Sequence, residues 1–354
     1  MKFLSWSLIV PVFLLICFSL LILSSISTAL FRTQLIWTVL GIGLMAFFYF
    51  FDWRPFVNYK WAVYGIYAVN LLLLAVAYFV APVIRGNRGW IVLGSNMQFQ
   101  PSEFMKVGLV LVYAYFFARH HTSIANPKTI LTSFLLVVLP AGLVISQPDL
   151  GTAIVLGGLW FGFLLVSGLR LKHLAMAVLI FLVLSFVAWS YFLADYQRDR
   201  ITGLLNPSRD PLGINYSPAQ SKIAIGSAGF WGKGYHQGTQ TQLGYLPDAS
   251  TDFIFSAFIE EWGIVGGFLI IFVFAYFLFV ILRIGVIAET NFEKFICLGA
   301  AIIFSAHFVI NVGSATGLLP VVGLPFPFLS YGGSSLLTNF FLSGIILSIA
   351  KRLA

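Results

Sequence analysis

The run Phe3–Thr28, FLSWSLIVPVFLLICFSLLILSSIST, carries no charged residue from end to end. About 20 apolar residues in a helix rising 1.5 Å each cross the roughly 30 Å hydrocarbon core of a bilayer. This one stretch is therefore long enough to span. It exceeds the apolar region of a cleaved signal, and further runs follow, so it reads as a retained helix. The whole chain agrees: its 354 residues are 60% hydrophobic, 17% aromatic and only 9% charged. An ordinary soluble domain holds about 25% charged residues.

Apolar runs bounded by charges and Pro/Gly turns predict ten transmembrane helices, at 3–28, 32–51, 60–83, 102–119, 130–146, 149–169, 173–194, 252–282, 294–316 and 333–350. The expected fold class is an all-α, polytopic integral membrane protein, with residues 1–354 forming a single membrane domain. With the N-terminus inside, the inner segments hold Lys2, Arg54, Lys60, Arg119, Lys128, Arg170, Lys172, Arg283, Lys294, Lys351 and Arg352, against Asp52, Glu289 and Glu293. Eleven basic and three acidic residues there account for the whole formal net charge of +8. That asymmetry is the positive-inside pattern and predicts N-in, C-in topology. The basic balance thus reports orientation, not nucleic acid. Cys17 and Cys297 lie inside apolar runs, where a thiol behaves as a small hydrophobe.

Residues 195–251, between the seventh and eighth expected helices, form the longest polar stretch and fall outside as a large extracytoplasmic loop without obvious strong elements. Ile223, Ile225, Phe230, Trp231 and Tyr245 are scattered among its glycines, as in a loop that packs on something.

Ionisable groups at membrane spans are costly and mark function by default. Three carboxylates begin helices that run from outside to inside: Glu103, Asp149 and Asp252. Each has a bland reading as a cap that complements the helix macrodipole. For Asp149 the cap and the functional reading stand level. For Asp252, in GYLPDASTDFIF (residues 244–255), Ser250 and Thr251 already offer capping hydroxyls, which leaves its carboxylate for chemistry. Glu103 and Lys106 share one helix face at i, i+3, either as a neutralising ion pair or with Lys106 as a phosphate contact. Glu260 lies about 80° around the helix from Asp252 and Glu261 about 180°; buried so deep, both need partners. His307, in mid-membrane, suits a hydrogen-bonded structural role. Ser330, Gly332 and Gly333 open the last helix, where backbone N–H groups receive an anion or small residues let a turn pack. Outer carboxylates with nearby cations suit a lipid-linked anionic substrate, in either a glycosyltransferase or a transporter that moves such a lipid.

Taken together, FQPSEFMK (99–106), SQPDLGTA (146–153), AIGSAGFWGKGYHQGTQTQLGYLPDASTDFIFSAFIEEWG (224–263) and NVGSATGLLPVVGLPFPFLSYGGSS (311–335) resemble the SEDS family of bacterial membrane proteins, the shape, elongation, division and sporulation group. The match runs nearly the whole chain in order and is more like the elongation member than the division member. Ala228, where the family often has glycine, and Ser314, where it often has methionine, depart from the pattern without touching a charged position.

The resemblance implies a peptidoglycan glycosyltransferase of the bacterial cytoplasmic (inner) membrane. It would polymerise lipid II on the outer face and release undecaprenyl pyrophosphate. The family's essential aspartate corresponds to Asp252, the expected general base, with Glu103 and Lys106 as its functional pair. Asp149 belongs to a second motif. Asp149, the residues Arg198, Arg200, Arg209 and Lys233 of loop 195–251, and Ser330, Gly332 and Gly333 are the expected substrate contacts. Expected partners are lipid II, membrane lipid, a class B penicillin-binding protein acting as transpeptidase, and other elongation-complex membrane proteins. The sequence offers no ligand cluster for a divalent cation at the pyrophosphate. A lipid II flippase and a non-enzymatic scaffold for a wall synthase are the alternative readings.

Overall fold

The structure, a computed structural model, describes residues 2–84, 87–92, 98–121, 126–168, 175, 178–179, 182–183, 186–192, 195–206, 210 and 212–353. Ten of the 22 residues of the expected helix 173–194, and Arg209, lie outside the described residues. The helices are α1 (Lys2–Ile26), α2 (Thr28–Phe50), α3 (Arg54–Val57), α4 (Lys60–Val80), α5 (Pro101–His120), α6 (Pro127–Ser146), α7 (Leu150–Val166), α8 (Asp195–Leu205), α9 (Tyr216–Ser227), α10 (Thr239–Gln242), α11 (Ile254–Ile287), α12 (Asn291–Thr316) and α13 (Gly333–Arg352). One small antiparallel ladder pairs Ile91–Val92 with Gln98–Phe99 ahead of α5.

Among the described residues seven helices, α1, α2, α4, α6, α11, α12 and α13, are long and apolar enough to cross a membrane. Their exposed side chains are large and apolar, such as Phe47, Phe79, Phe272 and Val286, which fits lipid rather than water outside the bundle. α5 differs. It is buried almost throughout from Pro101 to Phe117, charges included, and packs against α4, α6, α7, α12 and α13. An apolar helix that is buried all round belongs at the centre of a bundle. α13 lies along α2 with Gly41 under Phe340 and Gly344 against Met45, the small-residue contacts that let membrane helices approach closely. At the far end of α13 from Gly333, Arg54 donates to Glu293 at 2.8 Å and to the Ser348 carbonyl at 2.9 Å, fastening α3 to α12 and α13.

α11 is not one continuous helix. Gly263 has φ 75° and ψ 178° inside it, and the main chain of residues 229–234 enters the break. Lys233 N donates to Glu260 O at 2.9 Å and Gly234 N to Glu261 O at 3.0 Å. Ile264 N donates to Gly229 O at 3.1 Å and Val265 N to Phe230 O at 3.2 Å. The helix's lost bonds are thus replaced by the loop's, as irregular backbone at membrane depth requires. Only glycine fits: a Cβ on Gly263 would sit 2.2 Å from Phe230 O, and one on Gly232 2.2 Å from Glu261 O.

The loop 195–251 is more structured than expected, with α8, α9 and α10 inside it. Polar composition hid these helices, because they bury only a few side chains. Ser221 of α9 is one, bonded to Ser256 Oγ and to the Ala315 carbonyl, both at 2.6 Å.

Candidate functional site

Asp252 precedes α11 in a turn, 248–253, that opens with Asp248 at φ 52° and is closed by Phe253 N donating to Asp248 O. The expected capping by Ser250 and Thr251 is not what the turn does. The N-cap of α11 is Phe253, without a side-chain cap bond. The main-chain carbonyls of Ser250 and Thr251 instead accept from Tyr331 N at 2.9 Å and Ser330 Oγ at 2.6 Å. These two bonds pin the Asp252 turn to the connection between α12 and α13. The turn's tertiary contacts, not a helix cap, therefore set its place.

Beside the turn opens a cavity of about 170 Å³ lined by Asp252, Asp248, Arg200, Lys222 and Asn215, with Phe253, Gly317 and Leu319 among the rest of its wall. At about 30 Å³ per water, it holds a few waters or a polar group. Arg200 comes from α8 and donates to the Val321 carbonyl at 3.0 Å. Lys222 comes from α9, whose Ser221 is the buried anchor, and its side chain lies across Gly317. Two carboxylates and two cations thus face one space. Lys222 is not among the site residues expected from the sequence. Its signal was the helical i, i+3 spacing of Ser221 and Ala224, which are buried and leave Lys222 between them at the surface.

The other expected site residues lie elsewhere. Glu103 and Lys106 form a 2.7 Å ion pair, about 3% and 2% exposed, and neither lines the cavity. Lys106 Nζ also bonds His307 Nε2 at 2.8 Å, and Thr338 donates to Glu103 at 3.4 Å. Asp149 takes its cap reading: it is the N-cap of α7. It accepts from Thr152 N at 3.0 Å, Thr152 Oγ1 at 2.9 Å and Gln100 Nε2 at 3.1 Å. Lys233 donates to Glu260 at 2.9 Å and to Thr239 at 2.7 Å, which makes it a counter-ion. Arg198 bonds the Ser190 carbonyl at 3.3 Å, near Asp195 at 3.8 Å, and is not part of the cavity wall.

Glu260 does not line the cavity either. Its carboxylate accepts from Gln240 N, Thr241 N and Thr241 Oγ1 as well as Lys233, so it folds the α10 segment onto α11. Glu261 accepts from Ser25 of α1 and from Gln242. Both buried acids therefore tie the loop to α11, and Glu261 ties it to α1 as well through Ser25.

Ser330 donates to Thr251 O and accepts from Phe326 N at 2.8 Å. Gly332 N donates to Gln34 Oε1 at 3.4 Å. A Cβ on Gly333 would lie 2.4 Å from the Trp37 ring. All three take part in the packing of the turn, the small-residue reading of this stretch. Gly333→Val is expected to destabilise the chain by about 1–3 kcal/mol through overpacking, read as a lower unfolding temperature in detergent. An anion role would predict normal stability and weaker substrate binding instead. Among the described residues no three His, Cys, Asp or Glu side chains converge to hold a metal ion.

The family of FtsW, RodA and SpoVE, described as cell cycle proteins, matches residues 1–354. The peptidoglycan glycosyltransferase MrdB of Escherichia coli K12 is 38% identical over 317 residues, covering 88% of this chain and 83% of MrdB. A solved chain of a peptidoglycan synthase complex, from work on how polymerisation and crosslinking are coordinated, superposes with TM-score 0.84 and 31% identity, covering 98% of this chain and 97% of that one. The crystal structure of the rod shape determining protein RodA of Thermus thermophilus superposes with TM-score 0.74 and 27% identity, covering 98% and 96%.

Proposed function

Because the chain belongs to the FtsW, RodA and SpoVE family of cell cycle proteins, we infer that it is a peptidoglycan glycosyltransferase of the elongation type, polymerising lipid II into glycan strands. The observation that carries the assignment of the reaction to a site is the cavity where Asp252 and Asp248 face Arg200 and Lys222. Polymerisation forms a bond from the acceptor sugar's 4-oxygen to the donor's anomeric carbon and breaks that carbon's bond to pyrophosphate. The 4-hydroxyl must lose a proton, and the departing pyrophosphate gathers negative charge. Asp252 takes the proton as general base, and Arg200 and Lys222 stabilise the leaving group. Attack opposite the leaving group inverts the donor carbon and needs no covalent enzyme intermediate.

The chain spans the bacterial cytoplasmic (inner) membrane with ten helices, N-in and C-in. These are the seven long apolar helices, the buried α5, the shorter α7 and the span expected from sequence at 173–194, which is described only in part. Loop 195–251 then lies on the outer face, where the polymer is made. The likeness to a chain of a peptidoglycan synthase complex that coordinates polymerisation and crosslinking supports a class B penicillin-binding protein as partner, crosslinking the strand beside its synthesis.

The test is the purified chain with that partner in liposomes containing radiolabelled lipid II. Strands visible on a gel support the reading. Lipid II that reaches the opposite leaflet without forming strands establishes the flippase instead. Lys222→Met removes one charge-assisted contact worth about 1.5–3 kcal/mol, so kcat/KM for lipid II is expected to fall roughly 10- to 100-fold. Unchanged kcat/KM would remove Lys222 from the site.

A further inference from the structure

The buried pair Glu103–Lys106 lies outside the Asp252 cavity, yet one face of α12 connects the two. Lys106 Nζ, held at 2.7 Å by Glu103, is an ammonium and donates to His307 Nε2. His307 is therefore neutral, with its remaining proton on Nδ1, which donates to the Pro325 carbonyl at 3.0 Å. The tautomer is set by these two partners. One helical turn on, Asn311 uses its amide nitrogen twice, toward the Asp252 carbonyl at 3.1 Å and the Leu324 carbonyl at 2.9 Å. Asn311 is 2% exposed and His307 3%. Turning the Asn311 amide over would set its oxygen against two carbonyl oxygens, so only one orientation works. The adjacent carbonyls of Leu324 and Pro325 and the carbonyl of Asp252 itself thus hang from two side chains of α12, and one of those is oriented by Lys106.

We propose that His307 and Asn311 are positioning residues for Asp252, and that Glu103 and Lys106 serve the reaction through them rather than by touching substrate. This rests on the reading of Asp252 as the base. The ion pair orients His307, and His307 fixes Pro325. Asn311 then ties the neighbouring Leu324 to the main chain of Asp252, so the carboxylate meets the acceptor hydroxyl at a set distance. Small displacements of a reacting group carry large rate penalties.

Two measurements on the full chain test the proposal. The first uses the reconstituted chain with its partner to obtain kcat and KM for Lys106→Met, Asn311→Leu and the double variant. Each single change is expected to lower kcat tenfold or more with KM for lipid II within about twofold, and the double variant to be no worse than the weaker single. A rise in KM at unchanged kcat, or losses that multiply, would place Lys106 on the substrate and overturn the proposal.

The second measurement is amide hydrogen exchange, which does not depend on activity. Peptides covering 248–253 and 324–331 are expected to exchange at least tenfold faster in both single variants and at the wild-type rate in the surface control Lys351→Gln. Unchanged exchange at these peptides in Lys106→Met overturns the proposal, and so does acceleration spread evenly over the chain, which marks a folding defect. Absence of polymer from the wild type would sink the glycosyltransferase reading alone, because the exchange arm still decides the link between Lys106 and the Asp252 turn.

Discussion

Asp252→Asn is expected to lower glycan-strand synthesis by the reconstituted chain by about 10²- to 10⁴-fold, the usual contribution of a positioned acid or base. The substitution keeps the size and hydrogen-bonding reach of the side chain but removes its capacity to take a proton. The main-chain bond from Asn311 to residue 252 does not involve the carboxylate, nor do the bonds to Ser250 and Thr251 that hold the turn. The variant should therefore unfold at the wild-type temperature and still copurify with its partner. Strand synthesis at more than about a tenth of the wild-type rate would exclude Asp252 as the base. A variant that is both inactive and unstable would point to a structural role.

Gly263→Ala should damage folding more than any other single substitution considered. The residue stands at φ 75°, and a Cβ would meet Phe230 O at 2.2 Å and Gly232 N at 2.4 Å. Both neighbours are backbone, fixed by the four bonds that fill the break in α11, so neither can swing aside. Backbone strain of about 1–3 kcal/mol adds to overpacking of similar size. Together these match a large part of a typical domain's stability of about 5–15 kcal/mol. Most of the variant should be lost as aggregate on size-exclusion chromatography after detergent extraction. The remainder should show faster exchange in residues 229–242, whose folding depends on that break. Full recovery at the wild-type unfolding temperature would mean that the loop does not hold the break as tightly as these distances require.

The two substitutions separate what could be read in the chain from what could not. Uninterrupted apolar runs are local signals, and the bilayer enforces them residue by residue. Nine of the ten expected spans correspond to helices among the described residues, and the tenth, 173–194, is described only in part. α5 was legible as a helix but not as the centre of the bundle. It is more polar than α4, α6 and α7, and only their packing around it shows why it can carry Glu103 and Lys106. The break at Gly263 left no local trace, since one glycine inside an apolar run is ordinary. Its meaning depends on Gly232, 31 positions earlier, which approaches from another segment.

The candidate site divides in the same way. Sequence alone singled out Asp252 as a carboxylate at the mouth of a span, and it paired Glu103 with Lys106, because helical spacing puts i and i+3 on one face. It also demanded partners for Glu260 and Glu261, since a charge at that depth cannot stay bare. Which cations reach Asp252 was decided only in three dimensions. Arg200 and Lys222 line its cavity, whereas Lys233, equally basic and nearer in sequence, is taken by Glu260. The physical reason is that burial and helical period act along a single segment, whereas a charged side chain's partner is whichever group the fold brings within about 3 Å. Composition and spacing therefore determined that this protein lives in a membrane and where its acids stand. Long-range contacts between the loop, α11 and α12 decided which of those acids holds the structure together and which faces the cavity.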